Sequence, residues 1–240
     1  MSTPLFALRD PTEGALVAVS ERGVAPAGTL SPTEFLARRF AAELGVPDLP
    51  LVRATQAHGR RVVEVEESPA PGETADAGSC DALVTRLAGV GLVVQTADCV
   101  PLLLVASDAI GAVHTGWRGA AANVAGAAAE ALLALTGDRG SVRAWLGPAI
   151  RPCCYEVGGE VAAQFADEFL RASGDGCYRL DLPAVVRAQL EAAGILAPNI
   201  APDSECTMCG GDRFASWRRD REKAGRMIAL VARFGGRMRQ

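Results

Sequence analysis

The chain contains only two histidines. His58 lies in ATQAHGRRVV and His114 in GAVHTGWRG, each beside a glycine-containing turn next to an apolar run, and Cys99 follows the apolar run of VGLVVQTADC. Two neutral imidazoles and one thiolate make a chemically sound three-ligand site for zinc, with one position left for water or substrate. His58, Cys99 and His114 are spread over more than about fifty residues, unlike the tight spacing of a structural zinc finger; the spread suits ligands delivered from several strand ends into one crevice. The same atoms admit other uses. A cysteine after an apolar run is commonly a small buried hydrophobe, and a lone histidine a hydrogen-bonding loop or core residue. A cysteine and histidine can also form a nucleophile pair when the imidazole lowers the thiol pKa. Water activated by a metal needs a proton carrier that is not itself a ligand, and Asp98, Asp81 and Glu156 are the candidates. Asp98 reads equally as a turn or cap carboxylate. The zinc nucleobase-deaminase pattern, His-x-Glu with Pro-Cys-x-x-Cys, is absent.

A second cluster of chemistry follows His114. HTGWRG places two glycines and several backbone amides at the entry to a helix expected from Ala120, an arrangement suited to an anion, with Arg118 able to add a bidentate contact. Trp117 offers a face for a planar ligand such as a purine, although core packing is the commoner role. Neither the P-loop pattern nor the dinucleotide GxGxxG turn is present, which disfavours ATP- or NAD-dependent chemistry. In SWRRDR, Arg218 and Arg219 either reach an anion or only bind neighbouring carboxylates, the structural reading being favoured. The adjacent Cys153 and Cys154, and Cys206-x-x-Cys209, read as loop-buried thiols.

These residues need a scaffold of strands and helices. Apolar or alternating runs predict strands over 15–19, 51–55, 61–66, 82–85, 91–95, 102–106, 110–114, 142–146 and 226–234. Ser31-Pro32-Thr33-Glu34 predicts a helix start, with serine as cap and glutamate closing a capping box, running to about Leu44 before Gly45. Further helices are expected over 120–135, 160–170 and 183–193. Residues 67–79, rich in Pro, Gly, Ala and acidic residues, read as an exposed excursion. Continuous apolar strands call for cover on both faces.

The chain has 240 residues, 49% of them hydrophobic but only 5% aromatic, so alanine, valine and leucine must supply the packing of one α/β domain spanning 1–240. A formal charge of −4 gives no global attraction to nucleic acid or an anionic membrane. No signal-peptide pattern or run of about 20 apolar residues is seen, and seven cysteines do not read as a disulfide framework. The expectation is a cytoplasmic monomer with reduced thiols, acting on a small molecule.

QAHG (56–59), DALVT (81–85), TADCVP (96–101), GAVHTGWRG (111–119), LGPAI (146–150), CYEV (154–157), Cys206-Thr207 and FASWRR (214–219) together resemble the YfiH-like family, long called polyphenol oxidase or laccase. The resemblance is strongest over residues 50–232. It implies a four-layer α/β/β/α fold of mixed sheets flanked by helices, and a zinc centre on His58, Cys99 and His114 that copper could also occupy. It further implies phosphorolysis of adenosine, inosine and methylthioadenosine, with adenosine deamination as a second activity. Another family role is editing of peptidoglycan precursors, in which L-serine is hydrolysed from a UDP-MurNAc precursor. A non-catalytic metal-containing binding protein is the reading from a different class. On the nucleoside reading Asp98 moves protons, and Arg118 and Arg22 hold inorganic phosphate. The N-terminal portion that borders substrate in the family is shortened here, with only Glu21 to Val24 resembling its beginning. Two histidines cannot furnish the imidazoles of a multicopper oxidase, so phenol oxidation by a copper cluster is excluded on ligand count.

Overall fold

The computed structural model describes residues 6–10, 14–29, 31–136, 140–202 and 205–234. Strands β1 (Phe6–Asp10) and β2 (Ala15–Val19) pair antiparallel, and helix α1 (Pro32–Glu43) follows. Seven strands then succeed one another: β3 (Leu51–Thr55), β4 (Val62–Glu64), β5 (Thr74–Ser79), β6 (Ala82–Thr85), β7 (Val90–Thr96), β8 (Val100–Val105) and β9 (Ile110–Thr115). Helices α2 (Trp117–Ala121) and α3 (Val124–Thr136) lead to β10 (Arg143–Leu146) and β11 (Glu156–Gly158). Helix α4 (Gly159–Ala162), the hairpin β12 (Leu170–Gly174) and β13 (Cys177–Leu180), α5 (Leu182–Ala192), α6 (Trp217–Asp220) and β14 (Met227–Arg233) complete the order.

The strands form a six-stranded mixed sheet, β1-β2-β14-β7-β3-β5, a five-stranded mixed sheet, β10-β8-β9-β6-β4, and a small sheet β11-β13-β12. Period-two burial explains how the two large sheets stack. Leu103 and Val105 of β8 meet Leu92 and Val94 of β7 between the sheets, while Leu102 and Leu104 face outward against Ala125, Ala128 and Leu132 of α3 and Leu190 of α5. On the far side, Val93 of β7 and Leu230 of β14 pack beneath Leu36, Ala37 and Phe40 of α1. The result is the α/β/β/α layering expected, closed by small residues where helix meets sheet.

Several expected elements differ. Ser31 makes no side-chain cap, so the capping box is not formed, although Pro32 does open the helix. The strand expected over 61–66 is confined to β4. The supposed excursion 67–79 ends in β5, which pairs parallel with β3 at the sheet edge. Its polar residues suit an exposed edge, where Asp76 accepts from Thr55 at 2.8 Å and pairs with Arg53 at 2.8 Å. The helix expected over 120–135 is instead α2 and α3, interrupted at Asn123, whose φ of 63° is a left-handed conformation asparagine tolerates. Gly137, expected to close it, lies outside the described residues. The helix expected over 160–170 stops at α4, and Leu170–Gly174 is instead a strand that turns through Gly174-Asp175-Gly176, all with positive φ, into the β12–β13 hairpin.

One topological feature positions the site. Strands β3, β5 and β7 run parallel, so their carboxyl ends lie together. Each is followed by a short segment that crosses from the six-stranded sheet to the five-stranded one: 56–61 into β4, Cys80-Asp81 into β6, and 97–99 into β8. His58, Asp81 and Cys99 sit on these three crossings. His114, near the end of β9, pairs with Pro101 at the start of β8 and so arrives at the same end of the sandwich.

Candidate metal centre and its cavity

Two of the crossings and the end of β9 bring His58, Cys99 and His114 together, with their ligand atoms all within 4.8 Å of one another. The imidazole rings stand edge to face, 4.7 Å between centroids and 88° apart. His58 is exposed, Cys99 partly buried and His114 2% exposed, so the cluster has a buried floor and an open mouth. Gly116 makes the space: a β-carbon there would lie 3.1 Å from the Cys99 sulfur and 3.1 Å from Cδ2 of His58. Gly119 serves the same loop: a β-carbon there would lie 3.1 Å from the Gly59 carbonyl oxygen.

Asp81 organises the cluster. Its carboxylate, 1% exposed, accepts from the backbone N–H groups of Ala57 (3.2 Å), His58 (2.9 Å) and Gly59 (2.7 Å), and holds Nδ1 of His114 at 2.8 Å. It therefore fixes the QAHG turn, in which His58 adopts a φ of 59°, and commits His114 to present Nε2 toward Cys99. Although weighed as a proton carrier, Asp81 is placed as an orienting group. The signal in the sequence was chemical: a ligating histidine needs a partner for its other nitrogen. Gln56 adds a second clamp, its amide donating to the Gln95 carbonyl and accepting from the Gln95 N–H, both at 2.8 Å.

The electrostatics are those of a thiolate beside imidazoles. Burial alone would push the Cys99 thiol up, but the His114 charge and hydrogen bonds from both histidines outweigh it and bring the pKa down to about 6. His114 moves oppositely: burial would lower it, and Cys99 together with the Asp81 bond raises it to about 9. Asp81 is held low, with burial opposing and the His114 and Gly59 hydrogen bonds prevailing. One thiolate and two nitrogens meeting around an open space fit a three-ligand zinc-type site. A multicopper array does not fit two imidazoles.

The cluster opens into a cavity of about 650 Å³. Of the sequence candidates, Asp98, Arg118 and Trp117 line it; Arg22 does not, and its guanidinium pairs with Asp212 and Asp220 at 3.7 and 3.5 Å. Asp98, with a φ of 86°, accepts from the Thr207 hydroxyl and from the Arg218 N–H, both at 2.6 Å. Glu156 faces Arg179 instead. Arg118 lies 4.3 Å over the Trp117 ring, and α2 is too short to continue as the helix expected behind it. Sequence reasoning missed Arg221, Arg226 and Trp217 as cavity residues. Arg218, read as structural, lines the wall over Tyr155, whereas Arg219 is structural, donating to the Thr207 and Phe214 carbonyls and pairing with Asp220. Among the described residues the lining carries four guanidiniums and one carboxylate, a positive balance of side-chain charge.

A family model described as multi-copper polyphenol oxidoreductase laccase matches residues 35–233. A Xylella fastidiosa (strain Temecula1) protein named purine nucleoside phosphorylase is 38% identical over 204 residues, covering 80% of this chain and 75% of the relative. A protein from an unknown prokaryotic organism, named adenosine deaminase RL5, is 36% identical over 207 residues, covering 81% and 79%. The crystal structure of Bacillus licheniformis hypothetical protein YfiH superposes with a TM-score of 0.81 at 26% identity, covering 91% of this chain and 92% of that one. Among the described residues no helix is long and apolar enough to cross a membrane.

Proposed function

The chain belongs to the YfiH-like family, whose sequence model bears the laccase description, and on that premise we propose that it is a zinc-dependent purine nucleoside enzyme. Its principal reaction is phosphorolysis of adenosine, inosine and methylthioadenosine to the free base and a ribose 1-phosphate; adenosine deamination is the second activity. The observation that carries this reading is the convergence of His58, Cys99 and His114 at the floor of a cavity walled by arginines and tryptophans. The names of the two relatives support the reaction classes.

Each residue has a proposed task. His58, Cys99 and His114 hold the ion, which when bound supplies Lewis acidity at neutral pH. Arg118 and Arg218 bind inorganic phosphate through charge-assisted hydrogen bonds and orient it toward the anomeric carbon. Trp117 stacks on the purine, its other partner being the Arg118 guanidinium. Asp98 is the one carboxylate along the cavity wall among the described residues, and each of its oxygens keeps a lone pair beyond the bond it already accepts. It carries a proton from one reactant to the leaving group: in phosphorolysis from hydrogen phosphate, which becomes the ribose 1-phosphate dianion, to the departing purine, and in deamination from the attacking water to the leaving ammonia.

The test is a chromatographic time course of zinc-loaded protein with adenosine, with and without phosphate. Adenine that appears only with phosphate reports phosphorolysis, and inosine without phosphate reports deamination. Absence of both products overturns the assignment, and release of L-serine from a UDP-MurNAc precursor in their place points to the editing reaction.

A further inference from the structure

Cys153, Cys154, Cys206 and Cys209, expected as unconnected loop-buried thiols, are gathered into one cluster, with all four sulfurs within 4.8 Å of one another. The Cys209 sulfur lies 3.6 Å from that of Cys153 and 3.3 Å from that of Cys154. Four sulfurs each about 2.3 Å from a tetrahedral zinc ion stand about 3.8 Å apart, close to the spacing found. We propose that these four cysteines form a second, closed metal site, a structural zinc tetrathiolate that braces the wall of the cavity.

Three features support a built site. Cys206-Thr-Met-Cys209 is folded as a tight knuckle: the Gly210 N–H donates to the Cys206 carbonyl at 2.9 Å, and any side chain at Gly210 would collide with Phe214, 2.1 Å from the β-carbon position. Backbone amides of Cys209, Arg151 and Met208 are directed at the Cys206 sulfur, which is how a peptide loop stabilises a thiolate ligand. The two cysteine segments are also joined by main chain, the Thr207 N–H donating to the Ala149 carbonyl at 3.1 Å and the Ala149 N–H to the Glu205 carbonyl at 3.3 Å. The cluster is thus held in place from two distant parts of the sequence.

Zinc and four thiols give a tetrathiolate of net charge −2 with release of four protons. Arg179 donates to the Cys153 carbonyl at 3.3 Å and Arg219 to the Thr207 carbonyl at 3.1 Å, placing two guanidiniums on the backbone of the cluster. Its reach into the cavity is direct. Thr207, inside the knuckle, bonds Asp98, and Tyr155, next to Cys154, lies under Arg218. A filled site with no open position holds these groups in place and takes no part in turnover.

The experiment uses the reduced full chain. Cys99→Ser removes the only thiolate of the His58 centre, so cobalt bound to this variant reports on the proposed site alone. The expected result is a near-ultraviolet thiolate-to-cobalt band from four thiolates, more intense than that of a Cys153→Ser/Cys209→Ser variant, which keeps Cys99 at the His58 centre and only Cys154 and Cys206 of the cluster. Zinc-loaded wild type carries one more ion per chain than the double variant, and its four cluster thiols react with a thiol reagent only after a strong chelator is added. Should the double variant fail to fold, the cobalt spectrum of Cys99→Ser and the chelator-gated thiol count in the wild type still decide. No charge-transfer band in Cys99→Ser, thiols that react freely in zinc-loaded protein, or disulfides among the four that persist under reductant overturn the proposal. Loss of metal from the His58 centre alone leaves the cobalt spectrum of Cys99→Ser and the chelator-gated thiol count unchanged, so the two sites fail separately.

Discussion

Replacing Asp81 by asparagine tests the claim that one buried carboxylate assembles the His58 centre. Oδ1 of Asp81 serves the His58 N–H and Nδ1 of His114, while Oδ2 serves the Ala57 and Gly59 N–H groups. An asparagine amide cannot match both pairs: turned one way its NH₂ faces the Ala57 and Gly59 N–H groups, and turned the other it faces the His58 N–H and forces Nδ1 of His114 into the accepting tautomer, which puts a proton on Nε2 where the ion would bind. One or two donors left unsatisfied cost about 1–3 kcal/mol each, or about 1–6 kcal/mol together. For a chain of this size that lowers the melting temperature of metal-free protein by about 2–20 °C. Loss of the orienting bond to His114 weakens metal binding by about 10–100-fold. The assay is competition for zinc against a chromophoric chelator, paired with thermal unfolding of metal-free protein. Cys80→Ala is the control: it vacates a buried neighbour that is not a ligand, and its zinc affinity stays within about threefold of wild type. Wild-type zinc affinity in Asp81→Asn, or a melting temperature that does not fall, refutes the argument.

Zinc affinity should also depend on pH with a defined sign. In metal-free protein His114 keeps its proton up to about 9 and Cys99 is ionised above about 6. Binding between these values displaces one proton, so affinity falls about tenfold per unit as pH drops, and about a hundredfold per unit below the lower value; calorimetry in buffers of different ionisation enthalpy counts the protons. Gly116→Ala places a methyl 3.1 Å from the Cys99 sulfur at a φ of −84° that alanine adopts freely. It should cut zinc affinity more than about tenfold while leaving the melting temperature of metal-free protein within about 2 °C. Arg118→Ala and Arg218→Ala should each raise the KM for phosphate by about 10–100-fold. Arg22→Ala, with its guanidinium engaged by Asp212 and Asp220, should change it by less than about threefold in the same steady-state assay.

The layered fold was legible because period-two and continuous apolar runs are direct records of burial, and β7, β8, β9 and β14 all fall where such runs predict strands. The three proposed ligands were legible from scarcity, since only two histidines were available. What failed was governed by long-range packing or by single turns. Thr74–Ser79 carries no apolar signal, and it is a strand because β3 offers it a parallel edge. Asn123 breaks a helix that alanine propensity would continue. Arg218 and Arg219 are adjacent and chemically identical, and only tertiary contacts send one to the cavity and the other to the Phe214 and Thr207 carbonyls. The cysteine cluster needed the pairing of the Ala149 and Thr207 segments, which no local pattern encodes.

The distribution of backbone strain follows the same logic. Of the five described non-glycine residues with positive φ, three line the cavity: His58 at 59°, Asp98 at 86° and Arg221 at 50°. Each such conformation costs on the order of 1 kcal/mol or more and persists only where its surroundings over-determine it. At His58 the surroundings are the Asp81 carboxylate, which takes the N–H of that residue and of both its neighbours. At Asp98 they are Thr207 and the Arg218 N–H, which grip both oxygens, with the Ile150 N–H on its carbonyl. The sharp crossings between sheets are therefore held by buried hydrogen bonds rather than by glycine, which keeps functional side chains at the positions where the chain bends most. A fold that turns three parallel strands at one end and strains two of those turns around non-glycine residues has a site there because the hydrogen bonds that offset the strain also aim the side chains.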